Sequence, residues 1–347
     1  MRVVDLLHRW TGALIGVLLA ALGLSGALLL WKRWWVPGAS GDLPGDPAAV
    51  LEAAAQMKPG YVLLGSEDFA LTRIGRADGS GAYLDGGGAI VAHWASPLER
   101  PELWLFELHH KLLAGETGET VTGFLGLAAI IFVVTGLILW WRTRATFAPR
   151  LWPKRLSRLA ILRHHRDLGV IAAPLILLAA LTGSMMVLKP FGHALLAPLS
   201  GPGAIAASLK PPEVRGGPAD GVDVPALLAA ASQRFPAAEA RMLVWPRKPG
   251  DLMALRVRQP GEWHPNGRTT LWFDAATGEL VEARDALALP AGPRAFNALY
   301  PLHAASVGGP AFRLAMTAAG LTLTLLGTLA VWSFWTGRAT ARRAAPA

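Results

Sequence analysis

Apolar residues run without a charge through four windows of the chain, and between them the pattern turns polar and punctuated. The windows are Trp10 to Trp31, Thr120 to Trp141, Leu168 to Leu188 and Leu314 to Trp335. A bilayer core about 30 Å thick is crossed by roughly 20 apolar residues in a helix. In lipid each backbone amide must be paired within its own segment, so these windows predict four transmembrane helices. Tryptophans mark their ends, at Trp34 and Trp35, Trp140 and Trp141, and Trp332 and Trp335. Their part-polar rings suit the headgroup level.

The intervening pattern has two long pieces, 36–107 and 189–308. The first begins rich in Gly, Pro and Asp, as a linker does. Ala48 to Met57 predicts a short helix, with strands at Phe69 to Ile74 and Ala89 to His93 around Gly86-Gly87-Gly88. In the second, Pro198 to Pro218 reads as loop, and Asp223 and Pro225 open a helix running to Phe235. Met242 to Pro246, Met253 to Gln259, Thr269 to Phe273 and Leu280 to Ala283 predict strands, the last two joined by a turn at Asp274 to Glu279. A helix followed by antiparallel strands that ends in strand–Asp–x–x–Thr–Gly–Glu–strand resembles a PepSY domain, and the first piece would be a degenerate copy. The expected organisation is 1–35 for the first span, 36–107 and 189–308 as two PepSY-like segments, 108–188 for spans two and three with a basic loop at 142–167, and 309–347 for the last span and tail. The fold class is a membrane protein: an all-α four-helix transmembrane bundle with α+β outer segments.

Charge supplies the orientation. The sequence carries a formal net charge of +9, with 16% charged and 52% hydrophobic residues. The excess does not point to nucleic acid, because most of it flanks the apolar windows. The loop after span two holds Arg142, Arg144, Arg150, Lys154, Arg155, Arg158, Arg163 and Arg166 against Asp167, and the tail adds Arg338, Arg342 and Arg343. Basic short loops stay in the cytoplasm. Both termini are then cytoplasmic and both long pieces face outward, to the periplasm of a bacterial inner membrane. Lys32 and Arg33 sit on the opposite side of span one. The first apolar run is longer than a signal-peptide core and lacks a small-residue cleavage motif before Trp31, so it is expected to remain as a span.

With no cysteine in the sequence, thiolate metal sites, iron–sulfur clusters and covalent haem attachment are excluded. Among nine histidines, four stand at span ends: His8 and His165 on the inner side, His109 and His303 on the outer side. His164 and His110 adjoin two of them. A histidine at such a depth, taken alone, is an interfacial polar anchor. Two per side, on different helices, would instead supply axial ligands to opposite faces of a haem.

The ordered motifs around these residues resemble the PepSY-associated transmembrane family across nearly the whole chain. They are Leu7-His8-Arg9-Trp10-Thr11-Gly12, Leu108-His109 with Leu112-Leu113-Ala114-Gly115, Thr135-Gly136 with Leu139-Trp140-Trp141, His165-Arg166-Asp167-Leu168-Gly169, Thr182-Gly183, and Pro301-Leu302-His303 with Gly308-Gly309. The resemblance implies an inner-membrane protein similar to ferric-siderophore reductases, holding two b haems and reducing Fe(III) chelates in the periplasm. It would assign His8 and His165 to an inner haem iron and His109 and His303 to an outer one. His110 stands where the family usually has Arg, so His109 or His110 serves outside; His164 is the alternative to His165. Adjacent residues project about 100° apart round a helix, so both cannot face one iron.

The expected acceptor is a ferric siderophore and the donor an unidentified cytoplasmic or membrane partner, with no catalytic side chain beyond the cofactor ligands. Arg241, Trp245, Arg247, Lys248, Arg256, Arg258, Trp263, His264 and Arg268 cluster in sequence; they serve either as a dock for an anionic, ring-bearing chelate or as a solvated sheet face. His93 and His193 read as surface residues. The other readings are an envelope regulatory or peptidase-inhibiting PepSY protein without redox activity, and a transporter. No protease motif appears, and no acidic residue lies within a span to relay protons.

Overall fold

A computed structural model of the chain describes residues 2–43, 45–201, 203–217 and 222–343, with side chains of the last helix described to Gly337. In chain order it contains helices α1 (Arg2–Leu29), α2 (Lys32–Trp35) and α3 (Pro47–Ala55), and strands β1 (Tyr61–Leu63), β2 (Thr72–Gly75), β3 (Gly81–Leu84) and β4 (Ile90–Trp94). Then come helices α4 (Pro101–Lys111), α5 (Gly115–Trp141), α6 (Arg158–Val187), α7 (Lys189–Leu196), α8 (Ala204–Leu209) and α9 (Val224–Arg234). Strands β5 (Glu239–Val244), β6 (Met253–Arg258), β7 (Thr269–Phe273) and β8 (Leu280–Arg284) follow, with helices α10 (Ala291–His303) and α11 (Gly309–Arg343) last. The chain divides into two compact units: Met1–Leu30, Leu105–Phe191 and Leu302–Ala347 form one, Trp31–Trp104 and Gly192–Pro301 the other.

The first unit is helical. Among the described residues four helices are long and apolar enough to cross a membrane: α1, α5, α6 and α11 from Gly309 to Gly337. Each extends beyond its uncharged window, because polar first turns such as Gly115 to Glu119 still close helical hydrogen bonds. α1 packs on α11 and α5, and α6 packs on α5 and α11. Small residues set the closest approach: Gly16 and Gly23 of α1 lie against Gly327 and Gly320 of α11, so a Cβ on Gly23 would stand 2.5 Å from the Gly320 carbonyl oxygen. Such seams let backbones meet in the absence of a hydrophobic drive between helices. The outward residues are apolar; Leu14, Phe124, Ile131 and Leu314 all remain more than half exposed. Pro174 does not interrupt α6, which runs through it and stops at Leu188, short of Pro190.

The second unit is built on one eight-stranded antiparallel sheet, ordered β4-β3-β2-β1-β5-β6-β7-β8. Each outer segment contributes a helix and then four strands, and the two quartets join at β1 and β5, with Val62 opposite Leu243. Arg241, 6% exposed, fastens this joint. Its guanidinium donates to the carbonyls of Gly65 at 2.8 Å, Leu64 at 3.0 Å and Pro265 at 3.1 Å. One face of the sheet forms the core: Val62, Ile74, Leu84, Leu243, Leu255, Leu271 and Phe273 pack under Leu51 of α3 and Leu227 of α9. Asp46 and Asp223 cap these helices by accepting from Ala48 N and Ala226 N. The Asp274–Glu279 turn forms, with Asp274 accepting from the Ala276 and Thr277 amides and Gly278 at φ 72°.

Some expectations are corrected. β1 and β3 were not anticipated, and the Gly86-Gly87-Gly88 turn joins β3 to β4 rather than the expected pair. β3 is buried at all four positions, so it lacks the alternation that marks a half-exposed strand. The stretch Pro198 to Pro218 is not wholly loop, since α8 lies within it; Pro202 and Pro218 lie outside the described residues. Helices α4 and α10, which carry His109 and His303, were also not anticipated.

Candidate functional site

His109 and His303 each sit in the last turn of a short helix that breaks before the next span. After α4 the backbone passes through Leu112, Leu113 and Gly115 at φ 48°, 59° and 58°; after α10 it passes through Ala305, Gly308 and Gly309 at φ 46°, 75° and 67°. These left-handed positions are costly for Leu and Ala, and they recur at both breaks. His8 and His165 need no break, because they lie within α1 and α6.

The four histidines meet in two facing pairs. His8 and His165 have ring centres 6.2 Å apart, and His109 and His303 have ring centres 6.0 Å apart. Two imidazoles bound to opposite sides of one metal at about 2 Å each, with about 1.2 Å from nitrogen to ring centre, stand roughly 6.4 Å apart. Among the described residues no group of three or more His, Cys, Asp or Glu gathers as for a bare ion. A metal held by either pair would have to bring its remaining ligands itself.

Local hydrogen bonding selects the tautomer of three of the four. His109 Nδ1 lies 3.0 Å from Ser25 Oγ and 3.1 Å from the Leu22 carbonyl. His303 Nδ1 lies 3.1 Å from Thr182 Oγ1 and 3.0 Å from the Ala179 carbonyl. A carbonyl only accepts, so both Nδ1 atoms carry the proton. His8 Nδ1 lies 2.8 Å from Thr135 Oγ1, whose own hydrogen is given to the Ile131 carbonyl at 2.7 Å, so His8 also donates. In each case Nε2 keeps its lone pair, the condition for ligating a metal. The hydroxyl is followed each time by glycine, on which the ring rests. A Cβ on Gly26 would stand 2.9 Å from His109 Cε1, on Gly183 3.0 Å from His303 Cε1, and on Gly136 3.6 Å from His8 Cε1. His165 is the exception; its Nδ1 is buried without a hydrogen-bond partner among the described residues.

The seats repeat at one spacing. Ser25 follows His8 by seventeen residues, and Thr182 follows His165 by seventeen. That is about 25 Å of rise along each helix, so α1 and α6 each carry one histidine of the first pair and, at a matched distance, one hydroxyl seat for the second. Thr135-Gly136 and Thr182-Gly183 belong to the motifs quoted above. Ser25-Gly26 was missed, and this repeated spacing is the signal that would have found it.

The neighbouring histidines are engaged elsewhere. His110 contacts Phe106 and stands 3.6 Å from Glu119. His164 is fully buried, and its Nε2 lies 3.2 Å from the Leu151 carbonyl. His193 packs edge-on against Phe296, and His93 is exposed on β4. The basic loop is tied down through Asp167, which pairs with Arg150 and Arg166, and Arg166 also donates to Thr146 at 2.7 Å. Lys32 lies over the Phe69 ring, and burial lowers its pKa.

The sequence cluster of cations and aromatics in the second unit splits apart. Arg241 is taken up by the sheet joint, and Arg247 and Lys248 belong to an exposed turn. Trp263, His264 and Arg268 come together around a cleft whose other wall is α10. His264 stacks on Tyr300 at 4.9 Å, and burial together with Arg268, Arg256 and Arg258 lowers its pKa to about 2.

No curated protein matches this sequence. The model of the PepSY-associated TM region matches residues 6–338 and so takes in all four apolar helices, both outer segments and all four facing histidines, and the chain belongs to that family.

Proposed function

We propose that this protein is a two-haem electron carrier of the bacterial inner membrane that reduces ferric siderophores in the periplasm. The observation that carries the reading is the two facing histidine pairs, three of whose rings are fixed by a hydroxyl at Nδ1 and rest on glycine. His8 and His165 would hold the inner haem b, and His109 and His303 the outer one, in a transmembrane four-helix bundle with both termini cytoplasmic. When bound, haem supplies one-electron chemistry between ferric and ferrous iron.

The chain's own residues supply the rest. Ser25, Thr135 and Thr182 accept from Nδ1 and so leave the Nε2 lone pair free to ligate. Gly26, Gly136 and Gly183 let the rings lie close to the helix backbone. The apolar helices exclude water and lower the local dielectric around both pairs. Electrons enter from a cytoplasmic or membrane donor. The acceptor gives up its metal on reduction, because ferrous iron binds hard-oxygen chelators more weakly than ferric iron.

The test is an absorption spectrum of the purified protein, oxidised and dithionite-reduced, with pyridine haemochrome quantification. A b-type spectrum at two haems per chain, lost pairwise in His8→Ala and His109→Ala, is the expected result. A colourless protein after expression with ample haem overturns the reading.

A further inference from the structure

We propose that the cleft between the β6–β7 connection and the first turns of α10 binds an anionic, ring-bearing chelate through its oxygen donors. The inference rests on the ferric-chelate reading for the identity of the ligand, but not for the existence of the site. The cleft encloses about 630 Å³ and is lined by Trp263, His264, Arg268, Leu287, Arg294 and Asn297, among others. That volume lies in the range of small-molecule sites.

The lining is rich in donors. Arg268 and Arg294 belong to no ion pair among the described residues. Arg268 Nε is buried and has no hydrogen-bond partner among the described residues. Burial and the nearby Arg256 lower the Arg268 pKa to about 10, so it stays charged at neutral pH at a cost that an anion would relieve. His264 Nδ1 accepts from the Asn266 amide at 3.2 Å, so its remaining proton sits on Nε2, which is a further donor. Glu262, the acid of the wall, is already committed. Its carboxylate accepts from Gln259 N at 3.1 Å, Thr269 Oγ1 at 2.7 Å and Arg268 N at 2.5 Å.

Trp263 supplies the apolar surface. It stays 55% exposed between the buried Glu262 and His264, and an exposed indole at the lip of a cationic cleft offers a face for an aromatic ring. Guanidinium groups take carboxylate or catecholate oxygens in pairs. The combination selects a catecholate or aryl-carboxylate chelate over a cationic one. The opposite wall is α10, the helix that ends on His303, with Asn297 six residues before it.

The experiment uses the full chain in nanodiscs and equilibrium dialysis against the anionic ferric complex of 2,3-dihydroxybenzoate, with a cationic ferric trihydroxamate as comparison. The anionic complex is expected to bind at least tenfold more tightly than the cationic one. Arg294→Gln is expected to weaken it about tenfold, and Trp263→Leu several-fold, with Trp263→Phe restoring most of the loss. Arg294 and Trp263 are exposed, so these variants test binding without disturbing the core. Equal binding by the wild type, Arg294→Gln and Trp263→Leu overturns the proposal, as does no binding by the wild type. Haem content measured on the same samples separates the two readings: binding without haem sustains the cleft and overturns the redox function, and haem without binding does the reverse.

Discussion

Each Nδ1 seat decides which nitrogen of a histidine is free: Ser25 shares it with the Leu22 carbonyl at His109, Thr182 shares it with the Ala179 carbonyl at His303, and Thr135 holds it alone at His8. A hydrogen bond at Nδ1 raises the basicity of Nε2, and removing such a partner typically weakens metal affinity about 10–100-fold. Under the two-haem proposal, Ser25→Ala and Thr182→Ala act on His109 and His303, so they are expected to lower haem retention and raise the midpoint potential of the centre held by that pair alone. Thr135→Val is expected to do the same for the inner centre through His8. Redox titration of each variant followed at the haem bands checks this, and a shift common to both centres would count against site-specific seats. A second residue-scale consequence concerns His264, which is 6% exposed. Free imidazole titrates near pH 6.5, whereas folding holds this ring neutral down to about pH 2. Above about pH 6.5 the ring is neutral in both states and adds no pH dependence. Below it only the unfolded chain takes the proton, so stability falls by about 1.4 kcal/mol per pH unit. His264→Gln is expected to lack this component, and thermal unfolding of both proteins between pH 7 and 4.5 reads the difference in slope.

At the scale of elements, the spans were legible because an uncharged apolar run of about 20 residues is rare outside a membrane. The α9 helix and β5 to β8 were legible from Asp223, Pro225 and the Asp274–Gly278 turn, where local chemistry fixes the backbone. β1 and β3 were not, since a three-residue strand and a fully buried one carry no period. Helices α4 and α10 were hidden by adjoining an apolar run, with only the breaks at Leu112-Leu113 and Gly308-Gly309 to separate them. The histidines themselves were visible, but which neighbour faces the pair depends on helix rotation, and rotation follows from packing. That packing rests on the glycine seam of α1 and α11, where Thr324 Oγ1 also donates to the Ala20 carbonyl at 3.1 Å. A Cβ on Gly320 would stand 2.6 Å from the Gly23 oxygen. Gly320→Leu is therefore expected to force the helices apart and destabilise the helical unit by about 1–3 kcal/mol. Gly12→Leu, where nothing lies within 4 Å, is expected to stay within about 0.5 kcal/mol of the wild type. Thermal melts of the two in one detergent decide between them.

At the scale of the whole molecule, the shared sheet constrains the topology more tightly than the charge count does. Strand β1 comes from the segment before α5, and β5 from the segment after α6. They exchange backbone hydrogen bonds from Tyr61–Val244 to Leu63–Met242, and Arg241 locks carbonyls of the first segment to the second. Two segments in one sheet lie on one side of a membrane, so the chain crosses it an even number of times between them, as α5 and α6 do. Which side that is rests on charge, because the loop between α5 and α6 concentrates the basic residues. Lys32 and Arg33 do not oppose this reading, since Lys32 is drawn into the sheet unit over Phe69. The absence of cysteine makes the orientation directly measurable with single introduced thiols. Trp152→Cys, at a site 72% exposed in the basic loop, and Leu98→Cys, at a site 60% exposed in the sheet unit, would be treated with a membrane-impermeant maleimide in intact spheroplasts. Leu98→Cys is expected to react at once, and Trp152→Cys only after permeabilisation. The reverse pattern would turn the protein over and place the His109–His303 pair on the donor side, which would exclude reduction of a periplasmic chelate at that pair.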